Sequence, residues 1–366
     1  MRVAVLTSSR ADFGIYLPLL NRLKEDPFFE LEIIAFGTHL SKFHGYTLDQ
    51  IKDSGFNSIH KITSLLTNDD EVSIATSFGL TVLKFADFWD QHSYDWVLCL
   101  GDRFEMAAAV QAGIPFGVRF AHIHGGETTL GAIDNIYRHQ ISLASQLHFP
   151  ATDDFAKRIE SLTGNAANIV TAGSLSIDEL ESMEIPSETD FREKYQIHGD
   201  FALLTFHPET VSPESNYENA REMLNALLQV AEKIQLVITM PNADTFGSVF
   251  RKVLLELNEK RLQQVKLIEN FGKLNYFAAM QYCKFLLGNT SSGIIEAASF
   301  GKYVINVGSR QKGRAQSQNI INCPFESLKI QEAVQTVINR PTYSGENIYK
   351  KVGTADIIIK TLKNFK

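Results

Sequence analysis

Short apolar runs rich in β-branched residues recur almost from end to end of this chain, each closed by Gly, Ser, His or Asp and followed by a stretch of helical period. Few folds accept that alternation: it is the pattern of parallel sheets whose strands are buried on both faces and joined by crossover helices. The fold class is α/β. In the first half the strand-like runs are Arg2–Thr7, Leu31–Phe36, Trp96–Leu100, Arg119–Ile123, Leu147–Phe149 and Ile169–Ala172. In the second half Phe201–Phe206, Leu236–Met240, Val265–Ile268, Phe285–Leu287 and Val304–Val307 repeat the pattern, with helices expected over Asn216–Lys233 and Phe246–Lys260. Two doubly wound units follow, and the Glu- and Ser-rich stretch around Pro186 marks the edge between them. The expected division is an N-terminal domain over residues 1–175, joined by a C-terminal helix at 353–366, and a C-terminal domain over 176–352.

At 366 residues the chain is long enough for two full cores without disulfide or metal staples. The net charge of -7 gives no electrostatic footprint for nucleic acid or acidic membranes, so small molecules are the expected partners. The three cysteines, Cys99, Cys283 and Cys323, show neither a disulfide framework nor a CxxC spacing, and a reducing cytoplasm fits that usage. No apolar run approaches the roughly 18 residues of a membrane span.

Ligands of open parallel sheets bind beyond the carboxyl ends of the strands, so the residues that follow each run carry the chemistry. After the first run comes SSRADFG, where Arg10 opens a helix as in an anion site; an ordinary serine cap with a surface arginine reads the same residues more plainly. There is neither GxGxxG nor GxxxxGK[ST], so dinucleotide and Walker-type sites lose their usual support. The third run ends in LGDRFE, which delivers Asp102 at a strand tip with Arg103 behind it. The fourth ends in HIHGGET, followed by Asp134, Arg138 and His139 on a helix. Asp134 and Arg138, four apart, share a helical face as an ion pair or as a catalytic pair. Asp102, Glu127 and Asp134 on neighbouring strand ends would shift one another's pKa, the means by which one acid stays protonated beside an ionised base. Proton transfer is the chemistry such a group suggests. A metal site at His122, His124, Glu127 and His139 is the competing reading, since alternate residues of a strand face the same way.

In the second half FHPET and PNAD follow strands, bringing His207 and Asn242 to strand tips. GNTSSGIIE passes from a strand through Thr290 and Ser291 into a helix, a turn suited to phosphate, with Glu296 two turns on and suited to a ribose diol. GSRQKGR adds Arg310 as a second cation.

Taken together, SSRADFG, LGDRFE, HIHGGET with its D-x-x-x-R-H, FHPET, PNAD, GNTSSGIIE and GSRQKGR resemble, in order and spacing, the hydrolysing UDP-N-acetylglucosamine 2-epimerases of bacterial sialic-acid biosynthesis and their legionaminic-acid relatives. The resemblance covers roughly residues 2–315. It implies a GT-B architecture of two Rossmann-like domains facing a central cleft, a homodimer or homotetramer, no cofactor and no metal. The reaction it implies is anti elimination of the nucleoside diphosphate to a 2-acetamidoglucal, then water addition with inversion at C2. On this reading Asp102, Glu127, Asp134 and His124 are the acid–base candidates, with Arg138 orienting Asp134. Arg10, Arg103, His207, Asn242, Tyr276, Thr290, Ser291, Glu296 and Arg310 hold the nucleotide sugar. His124 stands where animal-type and non-hydrolysing relatives carry a catalytic Glu, and it therefore ranks beside Glu127. UDP-N-acetylglucosamine is the expected substrate, with UDP- or GDP-linked N,N'-diacetylbacillosamine as the alternative. A GT-B glycosyltransferase or a non-catalytic sugar-nucleotide binder would share the fold, but neither needs the crowded carboxylates.

Overall fold

The apolar runs form two sheets, each parallel throughout. In the computed structural model, which describes every residue save positions 44, 69, 179, 210, 212, 242–246 and 366, the first sheet comprises β1 (Arg2–Thr7), β2 (Glu30–Phe36), β3 (Ile59–Ile62), β4 (Trp96–Leu100), β5 (Phe120–Ile123) and β6 (Leu147–Phe149). The second comprises β7 (Phe201–Thr205), β8 (Gln235–Thr239), β9 (Val265–Ile268), β10 (Leu286–Gly288), β11 (Val304–Val307) and β12 (Ile320–Cys323). Their spatial orders are β3-β2-β1-β4-β5-β6 and β12-β11-β10-β7-β8-β9. Counted within its own sheet, each is the doubly wound order 3-2-1-4-5-6, with the reversal between β1 and β4 in one and between β7 and β10 in the other. These are the two Rossmann-like, parallel-sheet domains of the expected GT-B class.

Alternate strand residues feed opposite layers, as the pleat requires. Val3 and Val5 pack against Leu19, Leu20 and Leu23 of the helix Arg10–Glu25 and against Ile358 and Leu362 of the helix Thr354–Asn364. Ala4 and Leu6 pack on the other side against Phe85 and Trp89 of the helix Glu71–Gln91 and Met106 of the helix Phe104–Gly113. In the second sheet Leu204 meets Met223 and Leu227, whereas Leu203 meets Ala278 and Ala279.

The chain separates into two compact units, one of Met1–Glu127, Asp134–Glu179 and Tyr349–Lys366, the other of Thr128–Ile133 and Leu180–Ile348. The excursion Thr128–Ile133 therefore groups with the second unit, where the Leu130 N–H donates to the Lys312 carbonyl at 2.9 Å. The helix Thr354–Asn364 lies in the first unit and is preceded by the N-cap Gly353, whose lack of a side chain leaves the first N–H groups to another acceptor. The buried Asp178 carboxylate supplies the acceptor, at 3.2 Å from Thr354 N and 2.8 Å from Ala355 N.

Three differences from the sequence reading have a common cause. β3 and β12 escape the pattern of apolar runs because each is an edge strand paired on one side, so His60 and Lys61 or Asn322 interrupt the run. Ile169–Ala172, read as a strand, lies beside the edge strand β6 and makes one isolated bridge there, His148 to Ile169.

Candidate functional site

In the first unit the β1 turn is closed by its own carboxylate. Ser9 caps the helix Arg10–Glu25 in a capping box with Asp12. The Asp12 carboxylate accepts from Ser8 N at 2.9 Å, from Ser9 N at 3.1 Å and from Thr7 Oγ1 at 2.5 Å. Burial pushes the Asp12 carboxyl up, but the hydrogen bond and charge of His39, with those of Thr7 and Ser8, outweigh it and hold the group below its ordinary range. The backbone donors expected to meet an external anion are therefore partly occupied by the protein itself, and Arg10 remains as an exposed cation at the helix start.

Beyond β4 and β5 the charged residues converge. Asp102 follows β4. His124 follows β5 in the left-handed region at φ 62°, a conformation that costs a non-glycine residue about 1 kcal/mol. That turn leads to Glu127. Arg138, 2% exposed, rises from the helix Asp134–Ala144 and pairs with the Asp102 carboxylate, with Glu127 Oε2 at 3.1 Å and with the His124 carbonyl at 3.3 Å. The other Glu127 oxygen accepts from His124 Nδ1 at 2.9 Å. Burial alone would lower the Arg138 pKa; Asp102, Glu127 and Asp134 together raise it instead. A buried charge survives only when paired in this way. Exposure then separates the carboxylates: Asp102 is 26% exposed at its side chain and Asp134 half-buried, whereas Glu127 is 1% exposed. Asp102 and Asp134 are the ones a solute can reach.

Arg103, at the start of the next helix, is held by both oxygens of Glu105, at 3.2 and 2.9 Å. Glu105 is 1% exposed, and its place in LGDRFE, two residues after the arginine, was the signal that could have singled it out.

The histidines do not form a ligand pair. His124 lies past the end of β5, so the strand rule that puts it on one face with His122 does not apply. His122 directs Nε2 to the Gly101 carbonyl at 2.9 Å and Nδ1 to Ser142 Oγ at 3.0 Å. Burial pushes its pKa down to about 3. Each His122 and His124 ring nitrogen already has a protein partner, and among the described residues no group of three or more His, Cys, Asp or Glu could hold a metal ion.

In the second unit the loops after β7 and β10 are tied by one buried amide. Asn289 Oδ1 accepts from His207 N at 2.7 Å and Nδ2 donates to the His207 carbonyl at 2.9 Å. The Asn289 carbonyl in turn accepts from Gln311 Nε2 at 2.8 Å and Arg310 at 3.3 Å, which brings in the loop after β11. Glu209 fastens that loop from the other side, accepting from Ser309 N at 2.5 Å and Ser309 Oγ at 2.8 Å. The approach of β10 to β7 requires Gly288: at φ 147°, a Cβ there would lie 1.9 Å from the Thr205 carbonyl oxygen. Asn289, Glu209 and Gln311 stand inside quoted motifs, yet nothing in their spacing marks them as the ties between loops.

Thr290 and Ser291 open a helix of only five residues, Ser291–Ile295, and Glu296 is its C-cap rather than a residue two turns inside it. The reason is local: the chain turns directly into a 3₁₀ segment, Ala297–Phe300. Tyr276 turns its hydroxyl to Ser292 Oγ at 2.5 Å, and burial raises its pKa. Asn242 lies outside the described residues.

Set beside known proteins, the chain matches the sequence model of the UDP-N-acetylglucosamine 2-epimerase family over residues 21–363. The chain belongs to this family. The hydrolysing GDP/UDP-N,N'-diacetylbacillosamine 2-epimerase of Campylobacter jejuni is 32% identical to it, over 89% of this chain and 85% of that protein. The UDP-N,N'-diacetylbacillosamine 2-epimerase of Legionella pneumophila is 31% identical over 99% and 95%. Among solved structures, the UDP-GlcNAc 2-epimerase of Neisseria meningitidis bound to UDP-GlcNAc superposes with a TM-score of 0.84 and full coverage of both chains, at 19% identity, a likeness of fold. No helix among the described residues is long and apolar enough to cross a membrane.

Proposed function

We propose that this family member is a hydrolysing 2-epimerase of a nucleoside-diphosphate-linked 2-acetamido sugar, and that the first unit supplies the acid–base groups while the second holds the nucleotide. The observation that carries the reading is the Asp102–Arg138–Glu127 network beside Asp134. Elimination needs a base for the C2 proton and stabilisation of the departing diphosphate. Asp102 and Asp134 are the accessible carboxylates: one takes the C2 proton as the C1–O bond breaks, giving the 2-acetamidoglucal and the free nucleotide. Water then adds its oxygen to C1, and a proton reaches C2 from the opposite face, which inverts that centre. Glu127 and His124 stand behind, fixing Arg138 and through it the orientation of Asp102. Arg10, Arg103 and Arg310 are the cations for the diphosphate, with Thr290, Ser291, His207 and Asn242 as neutral donors, Glu296 for the ribose and Tyr276 beside the base.

The relatives favour a 2,4-diacetamido sugar over N-acetylglucosamine: the two bacillosamine epimerases are 32% and 31% identical, the N. meningitidis UDP-N-acetylglucosamine 2-epimerase 27%. A cytoplasmic homodimer or homotetramer completes the proposal. The test is proton NMR in D2O with EDTA, offering UDP-N-acetylglucosamine and the UDP- and GDP-linked diacetamido sugars in turn. Release of nucleotide with a 2-epimer deuterated at C2 is the expected result. Nucleotide release without the 2-epimer points to a hydrolase or transferase, and no turnover of any of the three overturns the enzymatic reading.

A further inference from the structure

Ser174 belongs to none of the seven motifs, yet its hydroxyl reaches the charged cluster. It caps the short turn Leu175–Ile177, is 1% exposed, and its backbone N–H donates to the Tyr349 carbonyl at 2.9 Å. Its Oγ lies 3.4 Å from His124 Nε2 and 3.0 Å from Ser176 Oγ, and it accepts from Ser176 N at 3.4 Å. Ser176 is buried as well. With His124 Nδ1 on Glu127, the three residues form a Ser–His–Glu line. That constellation activates a nucleophile when the serine is open to substrate. Here the serine is closed off, so the line has another use.

Proton directions follow from the donors available. A carboxylate paired with Arg138 only accepts, so Nδ1 of His124 carries the hydrogen and Nε2 of the neutral ring is a lone pair. The Ser174 hydroxyl then donates to Nε2 and accepts from Ser176. If the ring gains a proton at Nε2, two hydroxyl rotations suffice: Nε2–H donates to Ser174 Oγ, and Ser174 donates to Ser176 Oγ. Neither state leaves a buried polar atom without a partner, and no heavy atom moves. Alanine at 174 would leave Nε2 unsatisfied in both states, the costly side of hydrogen-bond energetics.

We infer that Ser174, backed by Ser176, is a positioning residue for the acid–base cluster, holding the His124 ring, and through it Glu127 and Arg138, in one arrangement across both protonation states. The inference rests on the epimerase reading of that cluster for its kinetic consequence, but not for its structural one. The test uses the full chain with 15N-labelled histidine, as wild type, Ser174→Ala and Ser174→Thr. Wild type is expected to show His124 as a single Nδ1–H form. Ser174→Ala is expected to show mixed tautomers and a roughly ten- to hundredfold loss in kcat with KM within about twofold, as for a buried hydrogen bond left unmade. Ser174→Thr, which keeps the hydroxyl, restores both. Unchanged ring signals in Ser174→Ala overturn the inference whatever the activity, and should that variant fail to fold, Ser176→Ala is held to the same spectroscopic criterion. Because the ring spectra need no substrate, failure of every nucleotide sugar to react would strike the epimerase reading and leave Ser174 to be decided by the spectra.

Discussion

The two units answer the same topological situation with opposite chemistry. At the switch point of the first sheet the loops after β4 and β5 carry a buried guanidinium among three carboxylates, with Asp102, Glu127 and Asp134 each raising the pKa of Arg138. At that of the second sheet the loops after β7, β10 and β11 are joined chiefly by the neutral amides of Asn289 and Gln311, with one carboxylate, Glu209, holding Ser309. Coupled charges exchange protons with a substrate and pay for burial only while all partners are present. Neutral amides hold backbone in register at any pH. A shared strand order thus leaves the division of labour to the residues at the strand tips.

The severest way to break the comparison is at Gly288. Alanine there would place Cβ 1.9 Å from the Thr205 carbonyl oxygen, so β10 must leave β7. The second unit is expected to lose upwards of about 4 kcal/mol, the range reached by severe core disruptions. Circular dichroism and calorimetry should then find one cooperative unit lost and nucleotide binding with it; a native-like melt would show that β10 has room to shift. Arg138→Met comes next and strikes the charged side. Removing one partner of a buried ion-pair network costs about 3–5 kcal/mol, and Glu127 is left uncompensated. We expect turnover to fall by about 10³ or more while the nucleotide still protects the second unit from heat, since the proposed function gives Arg138 to the chemistry rather than to the hold on the nucleotide. Asn289→Ala should do the reverse. It removes two hydrogen bonds to the His207 backbone and leaves those groups buried, at a cost of about 2–3 kcal/mol. Its signature is KM raised more than kcat is lowered; a loss confined to kcat would erase the distinction between the units.

How much of this was legible follows the same divide. Val3–Leu6 or Val304–Val307 announce strands because burial on both faces forces a continuous apolar run, and edge strands such as Ile59–Ile62 lack that constraint. Asp102 and Glu127 were legible because an acid just beyond an apolar run suggests chemistry, and Arg138 because it stands four residues after Asp134 on the helix that follows. Their hierarchy was not: Asp134 and Arg138 share a helical face, yet Arg138 pairs with Asp102 and Glu127, residues brought from two other strand ends. Ser174 and Asn289 stayed silent because a serine or asparagine in a loop is ordinary, and only tertiary contact shows what its hydrogen bonds hold. The length of the helix after Thr290 was equally hidden, since nothing in SSGIIEAASF separates one long helix from an α turn passing into a 3₁₀ turn.

The smallest effect sharpens the comparison through pH. Burial lowers His122 to about 3 and His148 to about 4, against an ordinary value of 6.5. Both belong to the first unit, flanking the charged cluster. A histidine whose pKa is depressed on folding binds its proton in the unfolded chain first, so its contribution is complete above about pH 6.5 and is lost as pH falls toward the folded value. Between about pH 6.5 and 4 each histidine therefore removes up to about 1.4 kcal/mol of stability per pH unit. Carboxylates held low by their partners, Asp12 among them, begin to take up protons in the unfolded chain near pH 5 and add to the loss below it. His122→Gln keeps a donor for the Gly101 carbonyl and an acceptor for Ser142, the two contacts the ring makes, but has no proton to gain. Denaturation midpoints measured from pH 7 to 5 should fall less steeply in the variant than in wild type, with His148 and His139, both lowered by burial, supplying the remainder. Equal slopes would mean that His122 is not neutral in the folded chain. The strand tip beside Asp102 would then hold one more positive charge than the comparison of a charge-coupled unit with one tied chiefly by amides has counted.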